Sequence, residues 1–82
     1  MKILYFGAEH CPQCKVLRPR VESWCNDRGG EFTFCDADSR EWVDTLPYYG
    51  IRSIPTVVVI DGDRACNYRG IDGWNKFLEE SE

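Results

Sequence analysis

The sequence predicts an α/β fold: one four-stranded mixed sheet with helices on both faces. Three observations predict it. Strand-like runs stand at 2–6, 31–36, 56–60 and 64–69. Helix-period patterns follow the first and second of these runs. Asp61-Gly62-Asp63 then joins the last two as a hairpin turn, which makes them antiparallel neighbours. The order is β-α-β-α-β-β-α, read as a single domain over residues 1–82.

Each element has its own reason. Ile3-Leu4-Tyr5-Phe6 is a continuous apolar run bounded by Gly7, as expected of a strand buried on both faces at the centre of a sheet. From Cys11 to about Arg28 the apolar residues Cys14, Leu17, Val21, Trp24 and Cys25 recur at three- and four-residue spacing, and Gly29-Gly30 end the segment. Pro19 lies inside this helix, removes the bond to the Lys15 carbonyl and is expected to bend it. Glu31 to Asp36 is rich in β-formers. Strand, helix, strand implies a parallel pair joined by a right-handed crossover. Asp38 or Ser39 is expected to cap one further helix running to about Tyr48, with Trp42, Val43 and Leu46 on one face. After Ile54-Pro55 comes the most strand-like segment, Thr56-Val57-Val58-Val59-Ile60. Asp72 is expected to cap a terminal helix from Gly73 to Glu80, with Trp74, Phe77 and Leu78 inward.

Composition excludes several classes of function. No apolar run approaches the roughly 18 residues a membrane span needs. A net charge of −4 without a basic block argues against nucleic acid or an anionic membrane as partner. The opening apolar run is too short for a signal peptide, so the chain is expected to be cytoplasmic, where paired cysteines are catalytic or metal-binding rather than structural.

The chemistry centres on Cys11-Pro12-Gln13-Cys14. If a helix starts here, Cys11 is its N-cap and Pro12 its first residue, where a missing N–H costs nothing. The Cys11 sulfur then faces unpaired backbone N–H groups, which favour a thiolate nucleophile. Cys14, one turn on, is close enough to close a disulfide with it. The same spacing is also half of a zinc site, with His10, Cys35 and Cys66 as further ligands on paper, but Cys35 and Cys66 fall on strands expected at opposite sheet edges. Cys25, Cys35 and Cys66 are read as small buried hydrophobes, and Trp24, Trp42 and Trp74 as core. His10, the sole histidine, either assists the neighbouring thiolate as a cation or proton relay or is simply exposed.

Ala8-Glu9-His10-Cys11-Pro12-Gln13-Cys14-Lys15, Pro19, Tyr49-Gly50-Ile51-Arg52-Ser53-Ile54-Pro55-Thr56 and Gly70, in this order and spacing, resemble the thioredoxin superfamily in a minimal thioredoxin- or glutaredoxin-like form. The resemblance implies a minimal thioredoxin-like fold with Cys11 as nucleophile, Cys14 as resolving thiol and Pro55 as a cis-proline beside them. It implies that His10, Pro12, Gln13, Ile54, Pro55 and Gly70 border the substrate. The implied activity is reduction of protein disulfides by a monomer that needs no cofactor and draws electrons from a thioredoxin reductase-like partner or from glutathione. The Pro-first order of Pro12-Gln13 is closer to glutaredoxin, whereas Thr56 ahead of Val57 and Gly70-Ile71-Asp72 leave that family's glutathione signature incomplete. The alternatives are therefore a glutathione-dependent reductase, or a non-catalytic binding subunit that docks a partner around Ile54-Pro55 and Gly70. At the position where thioredoxins place a buried acid this chain has Tyr5, a poor base near neutral pH.

Overall fold

A computed structural model of the chain describes residues 1–81. Its elements are β1 (Lys2–Gly7), α1 (Pro12–Asp27), β2 (Glu31–Asp36), α2 (Arg40–Val43), α3 (Thr45–Tyr48), β3 (Thr56–Asp61), β4 (Arg64–Arg69) and α4 (Gly70–Glu80). The sheet order is β2-β1-β3-β4. β1 runs parallel to β2, with Lys2 opposite Glu31, and antiparallel to β3, with Phe6 opposite Thr56. The apolar run at residues 3–6 thus occupies the centre of the sheet, and all four side chains are buried.

Period-2 alternation sends β1 and β3 side chains to opposite faces. Ile3, Tyr5, Val57 and Val59 pack under α1 and α4 with Leu17, Val21, Cys25, Trp74 and Phe77. Leu4, Phe6, Cys35 and Val58 pack under α2 and α3 with Trp42, Leu46, Tyr49 and Ile51. On α1 the buried positions Cys14, Leu17, Val21 and Cys25 trace one stripe along a helix that stays continuous through Pro19.

The structure corrects the expectations in three places. The single helix expected up to Tyr48 is two one-turn helices divided at Asp44. Pro47 has no N–H for the Val43 carbonyl, and its ring crowds that position, so the ladder cannot run through. Gly50, at φ +69°, then closes α3: its N–H bonds the Pro47 carbonyl and the Ile51 N–H the Leu46 carbonyl at 2.8 Å, an exit that needs the left-handed region. Second, neither Asp38 nor Ser39 caps by side chain. Ser39 is the N-cap residue, yet its Oγ donates to the Asp36 carbonyl instead. Likewise Asp72 does not cap α4, which starts three residues earlier with Arg69 as N-cap. The Gly70 N–H is already bonded to the Pro55 carbonyl at 2.8 Å, so the chain turns from β4 into the helix without a connecting loop. Third, Cys66 is exposed, whereas Cys25 and Cys35 are buried as expected. β4 is an edge strand, and residues 64–67 are exposed on both of its faces.

Candidate active site

The C-terminal end of β1 delivers the chain to Cys11, which has extended backbone angles (φ −89°, ψ 112°) and is the N-cap of α1. Its backbone N–H bonds the Ala8 carbonyl at 3.2 Å. The Cys14 N–H, a donor that the helix leaves free, points at Cys11 Sγ from 3.3 Å. A hydrogen bond of this kind strengthens when the acceptor is charged. Cys11 is half-buried, whereas Cys14 is 3% exposed.

Burial pushes the Cys14 thiol up from its ordinary value, and the hydrogen bond with Cys11 adds to the shift. The two sulfurs are therefore unequal: one is reachable from solvent with a donor aimed at it, and the other is withdrawn and held neutral. Space for the Cys14 sulfur comes from Gly7, where a Cβ would stand 2.9 Å from both Cys14 Sγ and Tyr5 Cε1. Tyr5 lies beneath, fully buried, its hydroxyl donating to the Cys14 carbonyl at 3.3 Å. Burial first, then the proximity of Cys14, raises the Tyr5 hydroxyl further above its ordinary range, so it serves as a donor and not as a base. The local pattern of the sequence contains no sign of this Tyr5–Gly7–Cys14 packing.

The other predicted site residues fall into two groups. Ile54-Pro55 has a cis peptide bond. Pro55 is buried and precedes Thr56, the partner of Phe6, so it lies at the same end of the sheet as the C-terminal end of β1. The Gly70–Pro55 hydrogen bond joins the start of α4 to the loop ahead of β3, and Gln13 and Gly70 border one cavity of about 340 Å³. Pro12, Gln13, Ile54, Pro55 and Gly70 thus gather around the dithiol end of the sheet. His10 turns away from this group, 73% exposed, with Nδ1 3.4 Å from Asp38 Oδ2. On the other side of Cys14, Glu9, Lys15, Arg18 and Phe34 line a cavity of about 410 Å³ in which the Arg18 guanidinium lies 4.0 Å over the Phe34 ring. Arg18 is exposed, and Phe34 is a lining residue that sequence reasoning missed. Among the described residues no group of three or more His, Cys, Asp or Glu could hold a metal ion, and Cys35 and Cys66 lie on the two opposite edge strands.

Residues 1–80 match the family model described as Thioredoxin. The chain belongs to the thioredoxin family. It is 36% identical to thioredoxin of Pseudomonas aeruginosa over 59 residues, 71% of this chain and 55% of that protein. It is 35% identical to chloroplastic thioredoxin M4 of Arabidopsis thaliana over 60 residues, 73% of this chain and 31% of that protein. The matched stretches thus cover between about a third and about a half of these thioredoxins. Among solved structures, thioredoxin 1 of Thermosipho africanus superposes with a TM-score of 0.75 over 99% of this chain and 98% of its own, at 21% identity. Thioredoxin O2 of Arabidopsis thaliana reaches 0.81 over 98% and 72%, at 19% identity. At these identities the likeness is one of thioredoxin fold.

Proposed function

We propose that the chain is a thiol–disulfide oxidoreductase that reduces disulfides of protein substrates. The observation that carries this reading is the inequality of the two sulfurs on one helical turn: Cys11 half-exposed with the Cys14 N–H on its sulfur, Cys14 buried. Membership of the thioredoxin family supports it. The Cys11 thiolate attacks one sulfur of the substrate disulfide, forming the Cys11–substrate bond and releasing the other sulfur, which takes a proton. Cys14 then gives up its proton and attacks Cys11 Sγ, and the second substrate thiol leaves. One electron pair passes from the dithiol to the substrate, and a Cys11–Cys14 disulfide remains.

Within this reading Cys11 and Cys14 are the catalytic residues, Pro12, Gln13, Ile54, Pro55 and Gly70 frame the substrate, and exposed His10 lies at the rim. Tyr5 is not a base, so the Cys14 proton leaves to a nearby group or to water. The working form is a cytoplasmic monomer recharged by a thioredoxin reductase-like donor. The glutathione-dependent alternative takes electrons from glutathione and acts on glutathione mixed disulfides, and the non-catalytic alternative makes no use of the paired sulfurs.

Insulin reduction with dithiothreitol as electron source tests the reading. Wild type accelerates it, and Cys11→Ser removes the acceleration. Mixed with insulin before any dithiothreitol is added, Cys14→Ser, which keeps the attacking thiol and removes the resolving one, accumulates a mixed disulfide on Cys11 that dithiothreitol then dissolves. Insulin reduction by Cys11→Ser at the wild-type rate would sink the assignment, and turnover with glutathione mixed disulfides alone would transfer it to the glutaredoxin-like mechanism.

A further inference from the structure

Arg52, in the loop ahead of Pro55, and Arg69, at the end of β4, line one cavity of about 420 Å³ together with Thr56 and Asn67. Both arginines are exposed, and no carboxylate among the described residues lies within ion-pair distance of either. No acidic side chain lines the cavity. In a chain of net charge −4 this is a local reversal of sign.

The fold accounts for the opening. Thr56 and Arg69 are cross-strand partners, so they share the face on which Val58 packs under α2 and α3. Those helices are one turn each, and β4 stays exposed on that face. The opening continues past Asn67 to a second cavity bordered by Tyr48, which is 80% exposed. Arginine and tyrosine are the residue types that dominate binding hot spots. Arg69 also borders the cavity shared by Gln13, Gly70 and Asp72, which makes this face continuous with the dithiol end of the sheet.

We propose that the face around Arg52 and Arg69 docks an acidic segment of the protein whose disulfide is reduced, so that favoured substrates carry aspartate or glutamate beside the scissile cysteine. This rests on the reductase reading above and names its substrate class. Guanidinium groups bind carboxylates through paired, directed N–H donors. In a chain of net charge −4, a face that carries two arginines and no lining carboxylate also favours one orientation of approach.

Two measurements separate the docking from the chemistry. The first is fluorescence anisotropy of a labelled, cysteine-free peptide of alternating aspartate and glutamate against its asparagine and glutamine counterpart. The acidic peptide binds wild type about fivefold tighter or better at low ionic strength, as two partly screened ion pairs allow. The preference shrinks in about 0.5 M salt. It disappears in Arg52→Gln/Arg69→Gln and reverses for a lysine peptide in Arg69→Glu, each checked for native circular dichroism; the salt series on wild type needs no variant. Equal binding of the two peptides, a preference that the double variant keeps, or equally strong competition by inorganic phosphate would overturn the proposal. The second measurement compares reduction of two disulfide peptides, one flanked by acidic residues and one by serines. The acidic peptide is reduced several-fold faster by wild type, and the ratio falls to about one in the double variant. If wild type reduces neither peptide, the reductase reading fails, while the anisotropy result still decides the docking.

Discussion

On one face of the sheet a 16-residue and an 11-residue helix bury Leu17, Val21, Cys25 and Trp74 against Ile3, Tyr5, Val57 and Val59. On the other, two four-residue helices leave Trp42, Leu46, Tyr49 and Ile51 partly exposed over Leu4, Phe6, Cys35 and Val58. Both faces receive equally apolar strand residues, so the difference lies in the cover. A helix long enough to present an unbroken stripe can bury it, whereas Pro47 limits its segment to single turns. The division separates tasks. The well-covered face holds Cys14 and its support by Tyr5 and Gly7. The thinly covered face leaves β4 and the Arg52–Arg69 cavity open.

The largest expected effect breaks the comparison most directly. Leu17→Ala, at a fully buried site on the well-covered face, costs about 3 kcal/mol, and Leu46→Ala, at a half-buried site on the other, about 1 kcal/mol, measured by urea unfolding under reducing conditions. Equal losses would show that the thin face is as tightly packed as the thick one.

Gly7→Ala comes next. Its methyl would meet Cys14 Sγ and Tyr5 Cε1 at 2.9 Å, so the first turn of α1 must shift, at about 1–3 kcal/mol. Disulfide closure should slow along with the loss of stability, as quenched-flow alkylation would read. A variant that closes the Cys11–Cys14 bond at the wild-type rate would show that the sulfur does not need that space.

The smallest effect concerns the thin face. Cys35 is fully buried there, and burial, with Glu41 nearby, pushes its thiol from the ordinary 9.0 up to about 12. The folded state therefore keeps a proton that the unfolded state releases. Stability from this group is complete below about pH 9 and declines as pH rises toward 12. For Cys35 alone the decline is about 1 kcal/mol between roughly pH 8 and 10. Cys35→Ala should flatten part of that slope. An unchanged slope would assign the titration to Cys14 and Cys25 on the opposite face, whose thiols burial also raises.

The strands, α1 and the cysteine pair were legible in the sequence because each rests on short-range pattern: an apolar run, a 3.6-residue stripe, a Pro at the first helical position. What escaped depends on partners distant in the chain or on competition for one hydrogen-bonding group. The sequence places Pro47 late in the expected helix, but not the break that its missing N–H imposes at Asp44. Asp72 looks like a cap until Pro55 takes the Gly70 N–H. Cys66 reads as core until β4, expected at an edge, proves uncovered along residues 64–67. Tyr5 reaching Cys14, and Arg52 sharing a cavity with Arg69, are tertiary facts that no local window contains.

The central place of β1 has a consequence for biosynthesis. Lys2 pairs with Glu31 on one side and with Ile60 on the other, so β1 gains its second neighbour only after the residues of β3, some fifty positions later, have been made. Until then the edge of Ile3-Leu4-Tyr5-Phe6 that faces β3 is open, and an apolar segment with free backbone groups is the type that pairs with other chains. Ribosome-bound chains ending before Thr56 would accordingly expose that edge to holdase chaperones, and chains extended past Asp61 would hide it in a single cooperative step.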